Sequence, residues 1–178
     1  MSDSALLGDY TLYTGAGLCA VWQPEHFAHV RDLTTYEDEV TEDPALERCI
    51  RAGVFVPLNV GGDGVFQTLL RTDGRTARER RHTLVSSEPY LLISKGVIAV
   101  GGLEQVGEYV GGAERVPLAA GRYTVTVHLI DWEADPESVD ATGRPVEGAL
   151  PDFVVEIHPE PSPAPRYRTN VMTFDPPE

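Results

Sequence analysis

Residues 121–132 read Gly-Arg-Tyr-Thr-Val-Thr-Val-His-Leu-Ile-Asp-Trp. Apolar and polar side chains alternate through this stretch. The apolar set is Tyr123, Val125, Val127 and Leu129, and the polar set is Thr124, Thr126 and His128. A period of two in β-branched and aromatic residues is typical of a half-buried strand. We therefore predict a central strand with the apolar set in the core and the polar set facing outward.

Shorter segments of the same kind lie on both sides of this strand. They cover 9–14, 17–22, 54–60, 65–71, 83–87, 89–95, 97–101 and 152–158, and residues 115–118 lead into the central strand. Glycine-containing turns separate several of them, and we predict hairpins at Gly15-Ala16, at residues 61–64 and at Lys95-Gly96. Pro57 cannot donate a ladder hydrogen bond, which predicts an edge strand for residues 54–60.

One segment has helical spacing instead. Asp43 and Pro44 form a typical helix start, with Asp43 as N-cap, and Gly53 is a typical stop. The apolar stripe between them is Ala45, Leu46, Cys49 and Ile50. The pattern as a whole predicts an all-β fold, a single-domain antiparallel β-sandwich (residues 1–158) with one short helix near 44–52. Prolines at 159, 161, 163 and 165 predict an extended tail over 159–178.

The 178-residue chain carries a formal net charge of -14. This charge disfavours nucleic acid and anionic membranes as direct partners and favours a basic protein. The N-terminal residues lack a signal-peptide pattern, and no apolar run is long enough to span a membrane, so we expect a soluble, cytoplasmic protein. Cys19 and Cys49 have apolar neighbours, which predicts buried free thiols.

Much of the negative charge lies in two runs. The first run contains Glu37, Asp38, Glu39, Glu42 and Asp43, and the second contains Asp131, Glu133, Asp135, Glu137 and Asp140. Both runs fall in predicted loops or element ends, where side chains can face a partner. We predict that these ten carboxylates form the partner-binding surface.

Two patterns in the sequence resemble parts of metal-binding motifs. His26 and His29 have helical spacing, but zinc needs three or four ligands and no further Cys or His lies near them in sequence. The second acidic run resembles the opening of a calcium loop, yet Pro136 replaces the required glycine and Thr142 the bidentate acid. We predict no metal and no cofactor.

A catalytic alternative involves the polar faces of two strands. If residues 121–131 and 152–158 pair, His128, His158 and Glu156 come within reach of one another, as acid-base chemistry requires. The basic stretch of residues 71–82 is a further candidate, for phosphate binding, for pairing with the chain's own acids or for solvent exposure. The acidic net charge favours the last two of these.

The order of the segments resembles the competence protein J family, small bacterial inhibitors of a DNA-entry nuclease. The similarity involves the helix of residues 45–53, the basic stretch of residues 78–81 leading into residues 82–85, the segment of residues 114–125 with its Leu-x-x-Gly-x-Tyr pattern, and the strand that starts at Asp152. It covers residues 45–158. The resemblance implies a β-rich fold and an inhibitor role, and it transfers no functional residue.

Three hypotheses follow. The leading one is a non-enzymatic, acidic binding protein that acts as an inhibitor or immunity-type partner of a basic protein such as a nuclease. The second is a small enzyme or ligand-binding sandwich that uses the His128/Glu156/His158 face. The third is a domain of unknown role whose acidity serves solubility only. The sequence does not indicate the oligomeric state.

Overall fold

The structure of the protein, a computed structural model, describes residues 6–172. Eight strands dominate it and all belong to one sheet. They are β1 (Leu6–Thr14), β2 (Leu18–Trp22), β3 (Phe55–Asn59), β4 (Gly64–Arg71), β5 (Thr83–Ser86), β6 (Tyr90–Gly102), β7 (Glu114–Ile130) and β8 (Phe153–Pro159). The fold is therefore mainly β, as predicted.

The strand order is β1-β4-β8-β7-β6-β2-β3, and β5 pairs with the end of β7. All pairings are antiparallel except β4 with β8, which run parallel. The prediction of a purely antiparallel fold is wrong at this pairing. β1 also packs against β2 and β6, so the sheet curls over itself and encloses the main core. The two separate sheets of a sandwich are not found within residues 6–172.

The three predicted hairpins are also wrong. β1 pairs with β4 and β2 with β3 and β6, so Gly15-Ala16 joins strands that are not hydrogen-bonded neighbours. Residues 61–64 likewise join β3 to β4, which do not pair. Gly96, with φ of 114°, lies at a bulge inside the single long strand β6. Turn residues show where the chain bends, but they do not determine which strands then pair.

The central strand β7 has the predicted buried face at its middle. Val125 and Val127 are completely buried, whereas Tyr123 and Leu129 are half-buried, and Thr124 and Thr126 on the other face are also half-buried. His128 was predicted to face outward into solvent and is instead only 3% exposed. Neighbouring side chains cover the outer face of the sheet at this point.

Most apolar side chains pack inside the curled sheet in one large cluster, which includes Trp22, Phe55, Leu92 and Ile157. A second, small cluster lies on the outer face, where Leu150 packs against Ile130 and Val154. Leu150 belongs to the β7–β8 loop, which we define as residues 131–152. This loop therefore covers part of the sheet.

Helices are few and short. They are α1 (Leu33–Tyr36), a π-helical turn (Glu37–Thr41), α2 (Asp43–Arg51) and α3 (Ala77–Arg81). Single 3-10 turns cover Pro24–Phe27, Leu103–Gln105 and Trp132–Ala134. α2 matches the predicted helix, although its N-cap is Glu42 rather than Asp43. Gly53 follows it with φ of 76°, and a Cβ there would lie 2.8 Å from the Leu91 side chain. The edge position of β3 confirms the prediction from Pro57.

Cys19 and Cys49 are buried and free, as predicted. Residues 160–172 form no helix or strand, yet they lie against the sheet. The backbone N–H of Arg168 donates to the Pro89 carbonyl at 2.8 Å, and the Tyr90 hydroxyl donates to the Asn170 carbonyl at 2.9 Å. The rest of the predicted tail, 173–178, lies outside the described residues. Within 6–172, no helix has the length and apolar character needed to cross a membrane.

Candidate functional site

The first acidic run lies on the surface between α1 and α2, and we call residues 37–43 the acidic segment. Glu37, Asp38, Glu42 and Asp43 are exposed, and none of them forms an ion pair within the described residues. Glu39 differs, because it is half-buried and contacts the His29 imidazole. Four of the five predicted carboxylates thus face solvent without a counter-ion from residues 6–172.

Three contacts hold the acidic segment and the helix before it in place. Val40 is fully buried in the main core. The Tyr36 hydroxyl, immediately before the segment, donates to the Leu103 carbonyl at 3.1 Å. The Asp32 carboxylate accepts from the Thr35 N–H at 2.8 Å and caps α1. Since the apolar side chains point inward, the acidic ones between them are directed to solvent.

The second acidic run is largely used within the protein. Asp131 accepts from the Ala134 N–H at 3.3 Å, and Asp140 accepts from the N–H groups of Thr142 and Arg144 at 2.8 and 3.1 Å. Hydrogen bonds from Thr142, the strongest from its hydroxyl, lower the pKa of Asp140.

Asp135, predicted to face a partner, is buried instead. Its carboxylate accepts from Arg78 Nε at 2.7 Å and from the Ser138 hydroxyl at 2.6 Å. Burial acts to raise the pKa of Asp135, but the hydrogen bonds from Ser138 and Arg78 outweigh it, so the pKa is lowered. Within the described residues, only Glu133 and Glu137 of this run are exposed with no hydrogen bond to their side chains, and Glu137 Oε2 lies 3.8 Å from Arg78 Nε.

The structure does not bring the two acidic runs together. Tyr36 fixes the acidic segment to Leu103, directly after the end of β6. The second run follows Ile130, the last residue of β7. Because β6 and β7 are antiparallel, these two points lie at opposite ends of the strand pair. The acidic segment is therefore a separate surface.

The basic stretch of residues 71–82 includes α3, which the sequence did not predict. Thr76 and Glu79 form a capping box that starts this helix. Arg71 binds Glu79 through two nitrogens, each 2.8 Å from a carboxylate oxygen. Arg75 binds Glu156 at 2.9 Å. Arg71 and Arg75 thus pair with the chain's own acids, which is one of the two outcomes that the acidic net charge favours over phosphate binding.

The three residues of the catalytic alternative do meet. β7 pairs with β8, which places Thr126 opposite Glu156 and Thr124 opposite His158. His128 Nε2 lies 2.9 Å from Glu156 Oε1, and His158 Nε2 lies 3.0 Å from Glu156 Oε2.

Ser86 and Arg75 join them, and we call these five residues the Glu156 cluster. Ser86 Oγ is 2.6 Å from His128 Nδ1. Sequence reasoning missed Ser86 because nothing local shows that β5 pairs with β7 and sets Ser86 opposite His128.

Electrostatics keep Glu156 ionised. The close contact with His128 lowers its pKa most, burial acts in the opposite direction, and His158 and Arg75 lower it further. His128 Nε2 is buried and has no hydrogen-bond partner in the described residues. Its close contact with Glu156 is therefore not a hydrogen bond. Contacts from Arg75, His128 and His158 to this one carboxylate hold β7, β8 and the chain before α3 together.

The histidines near the acidic segment do not form a metal centre. His29 contacts Glu39, and burial lowers the pKa of His26. Within residues 6–172, no group of three or more His, Cys, Asp and Glu side chains is placed to hold a metal ion.

Two open cavities lie away from the Glu156 cluster. A groove of about 550 Å³ separates the outer face of β1 and β4 from the β7–β8 loop and includes Asp9, Gln67 and Trp132. A second cavity, of about 470 Å³, is almost entirely apolar. It is lined by Tyr13, Gly15, Ala16, Glu104, Gln105 and Val110. We call it the Tyr13 pocket, and no local pattern in the sequence predicts it.

No protein-family model matches the chain, and no curated protein sequence matches it. Two solved structures are similar to it. One is described as crocagin biosynthetic gene J, with 18% identity and a TM-score of 0.51, and the match covers 86% of this chain and 99% of that one. Another is ComJ from Bacillus subtilis, described as an inhibitor of the DNA degrading activity of NucA. Its identity is 12% and its TM-score 0.48, with 86% of this chain and 96% of that one covered.

ComJ belongs to the competence protein J family, whose order of elements the sequence resembles. The similarity of this chain to ComJ itself is one of structure only. At these identities the similarity to crocagin biosynthetic gene J shows a shared fold, which by itself assigns no function.

Proposed function

We propose that this protein is a soluble, cytoplasmic, non-enzymatic binding protein for a basic protein partner. The observation that supports the proposal is the acidic segment, where Glu37, Asp38, Glu42 and Asp43 are exposed without counter-ions in the described structure. In the second run, by contrast, three of the five acids make hydrogen bonds within their own loop. The acidic segment is thus the better candidate for a partner surface.

Concentrated negative charge of this kind attracts a basic protein over a long range and accelerates the encounter. A negative surface can also cover the positive surface with which a nucleic-acid enzyme binds phosphates. An inhibitor of a nuclease would work in this way. The choice of a nuclease as partner rests on the resemblance of the sequence to the competence protein J family.

A charge-matched pair of variants tests the proposal. The first variant carries Glu37→Gln, Asp38→Asn, Glu42→Gln and Asp43→Asn. The control carries Asp63→Asn, Asp73→Asn, Glu114→Gln and Glu147→Gln, which are exposed acids without ion pairs, scattered over the described surface. Both remove four negative charges, so a difference between them reports position rather than net charge.

The measurement is affinity capture from the native cell lysate at low salt, followed by binding kinetics on the captured protein. We expect the wild type and the control to capture the same basic protein and the acidic-segment variant to lose it. Equal capture by both variants would leave the acidity as a solubility feature.

The second candidate is a small enzyme, and the contact of Ser86 Oγ with His128 Nδ1 favours it. Ser86 is exposed, and a histidine at this distance can take up the proton of an attacking serine hydroxyl. A serine-directed fluorophosphonate probe tests this candidate. Stoichiometric labelling that is lost in Ser86→Ala and retained in Ser87→Ala would support an enzyme. Absence of labelling would leave the cluster as a structural ion-pair network.

A further inference from the structure

The Tyr13 pocket combines an apolar wall with an unpaired carboxylate oxygen. Tyr13 is 66% exposed and Val110 61% exposed, which is unusual for side chains of this size on a monomer and is typical of an interaction site when they cluster. Glu104 lines the same cavity, together with Gly15, Ala16 and Gln105. The pocket therefore combines exposed apolar side chains with one acidic residue.

Among the described residues, Glu104 has no cation to balance it. Its Oε2 accepts from the Thr14 hydroxyl at 3.1 Å, but its Oε1 is buried and has no hydrogen-bond donor in the described residues. Gly102 makes this arrangement possible, because a Cβ there would lie only 2.3 Å from Oε1. Leaving a carboxylate oxygen buried without a donor is unfavourable, so an external donor would be bound there.

The charge of Glu104 also acts on its neighbours. Burial is the main cause that raises the pKa of Tyr36 to about 12 and that of Cys19 to about 12. The negative charge of Glu104 is the second cause at both residues. No Lys, Arg or His lies within ion-pair distance of it in residues 6–172. The pocket is therefore electrically complementary to a cationic side chain.

The pocket and the acidic segment adjoin each other. Tyr36 precedes Glu37, and its hydroxyl bonds the Leu103 carbonyl next to Glu104. Its ring centroid lies 6.2 Å from that of Tyr109, which is itself exposed beside Val110. An apolar and aromatic centre with a charged rim is the usual arrangement of a protein interface.

We propose that the Tyr13 pocket is the docking site for an arginine side chain of the basic partner. The aliphatic stem would pack on Tyr13 and Val110, and the guanidinium would turn the Glu104 carboxylate outward and donate to its unpaired oxygen. Arginine suits the site better than lysine because its planar group stacks on aromatic rings. This inference rests on the proposed function. It adds one arginine of the partner that is held in the Tyr13 pocket, which we call the anchor.

The test uses N-acetyl-arginine amide as the probe and its neutral isostere, N-acetyl-citrulline amide, as the control ligand. Amide NMR spectra of the full chain are recorded during titration with each. We expect saturable shifts at residues 13–16 and 103–110 with the arginine probe. Replacing the arginine probe by the citrulline ligand, or Glu104 by the isosteric Gln, should weaken binding about tenfold. Shifts spread over the whole acidic surface, or equal binding of the two ligands, would overturn the inference.

Variants separate the anchor from the proposed function. Tyr13→Ala should lose the arginine site, whereas Leu84→Ala, an exposed apolar residue on β5, should retain it. If Glu104→Gln and Tyr13→Ala bind the captured partner as the wild type does, the anchor is wrong and the role of the acidic segment stands. If the pocket binds arginine but the acidic-segment variant still captures the partner, the proposed function fails instead.

Discussion

Arg78 on α3 and Asp135 in the β7–β8 loop are joined by a hydrogen-bonded ion pair, with Nε 2.7 Å from Oδ2. The same guanidinium donates to the Ser138 hydroxyl and the Gly148 carbonyl, each at 3.0 Å. One basic side chain thus holds three points of a long loop. Asp135 is only 3% exposed and is removed from any partner surface.

Replacement of Arg78 by alanine is expected to destabilise the protein. The change leaves the buried Asp135 carboxylate with the Ser138 hydroxyl but without its cation, which costs about 1–3 kcal/mol. Chemical denaturation measures the free energy of unfolding. Arg144→Ala is the control, since the Arg144 side chain is exposed in the same loop and makes no hydrogen bond or ion pair with the part of the chain that the structure describes. Equal effects of the two changes would contradict a structural role for the pair.

Glu156 predicts a pH dependence of stability. Its pKa is lower in the folded protein than the ordinary value of 4.5. A group of this kind stabilises the fold above its ordinary pKa, and the contribution is lost as the pH falls through the folded-state pKa. We therefore expect wild-type stability to decrease below about pH 4.5.

Urea unfolding between about pH 3 and pH 7 tests this dependence. Glu156→Gln should be less stable than the wild type at pH 7, because Arg75 and His158 lose their partner. It should also show a shallower loss of stability at acid pH. Glu147→Gln, an exposed change in the β7–β8 loop, should follow the wild-type curve. Parallel curves for the wild type and Glu156→Gln would exclude Glu156 as the responsible group.

The two faces of β7 differ in their expected contribution to stability. Val125 is completely buried in the main core, so Val125→Ala should cost about 1–3 kcal/mol from lost burial and the cavity left behind. Thr124 is half-buried and shares a hydrogen bond of 3.0 Å with the Tyr167 hydroxyl. Thr124→Ala should cost about 1 kcal/mol or less. Denaturant melts that gave equal losses would mean that the buried face is wrongly assigned.

Binding to a basic partner should depend on salt through the association rate. The Debye length is about 8 Å at physiological ionic strength, so exposed charges lose their long-range attraction as salt rises. We expect surface-capture kinetics to show slower association with rising salt for the wild type. The acidic-segment variant should associate more slowly at low salt and respond less to added salt. DNA should compete for the same partner. An association rate indifferent to salt would remove the electrostatic argument.

Local patterns were sufficient for several elements. The alternation through residues 121–132 predicted the C-terminal part of β7, with the buried Val125 and Val127, although β7 begins at Glu114. Residues 152–158 predicted β8 within one residue. The stripe between Asp43 and Gly53 predicted α2. These predictions succeeded because polarity repeated at a fixed period is enough to define which face of an element is buried.

The sequence predicted only part of the candidate site. The acidic segment is visible in the sequence as a charge run, and its four free carboxylates remained exposed. Asp135 has the same sequence character but is buried, because Arg78, 57 residues away, reaches it. A charged residue is drawn inward only when a partner from elsewhere in the fold compensates its desolvation.

The sequence by itself determined the strand-rich character, the main helix, the edge position of β3 and the location of the negative charge, since each depends on neighbouring residues. The tertiary structure alone decided that β4 and β8 run parallel and that His128 is buried beside Ser86 and Glu156. It alone placed Tyr13 next to Glu104. These contacts join residues 28 to 91 positions apart, and strand pairing over such distances is chosen by the burial and hydrogen bonding of the whole sheet rather than by any local pattern.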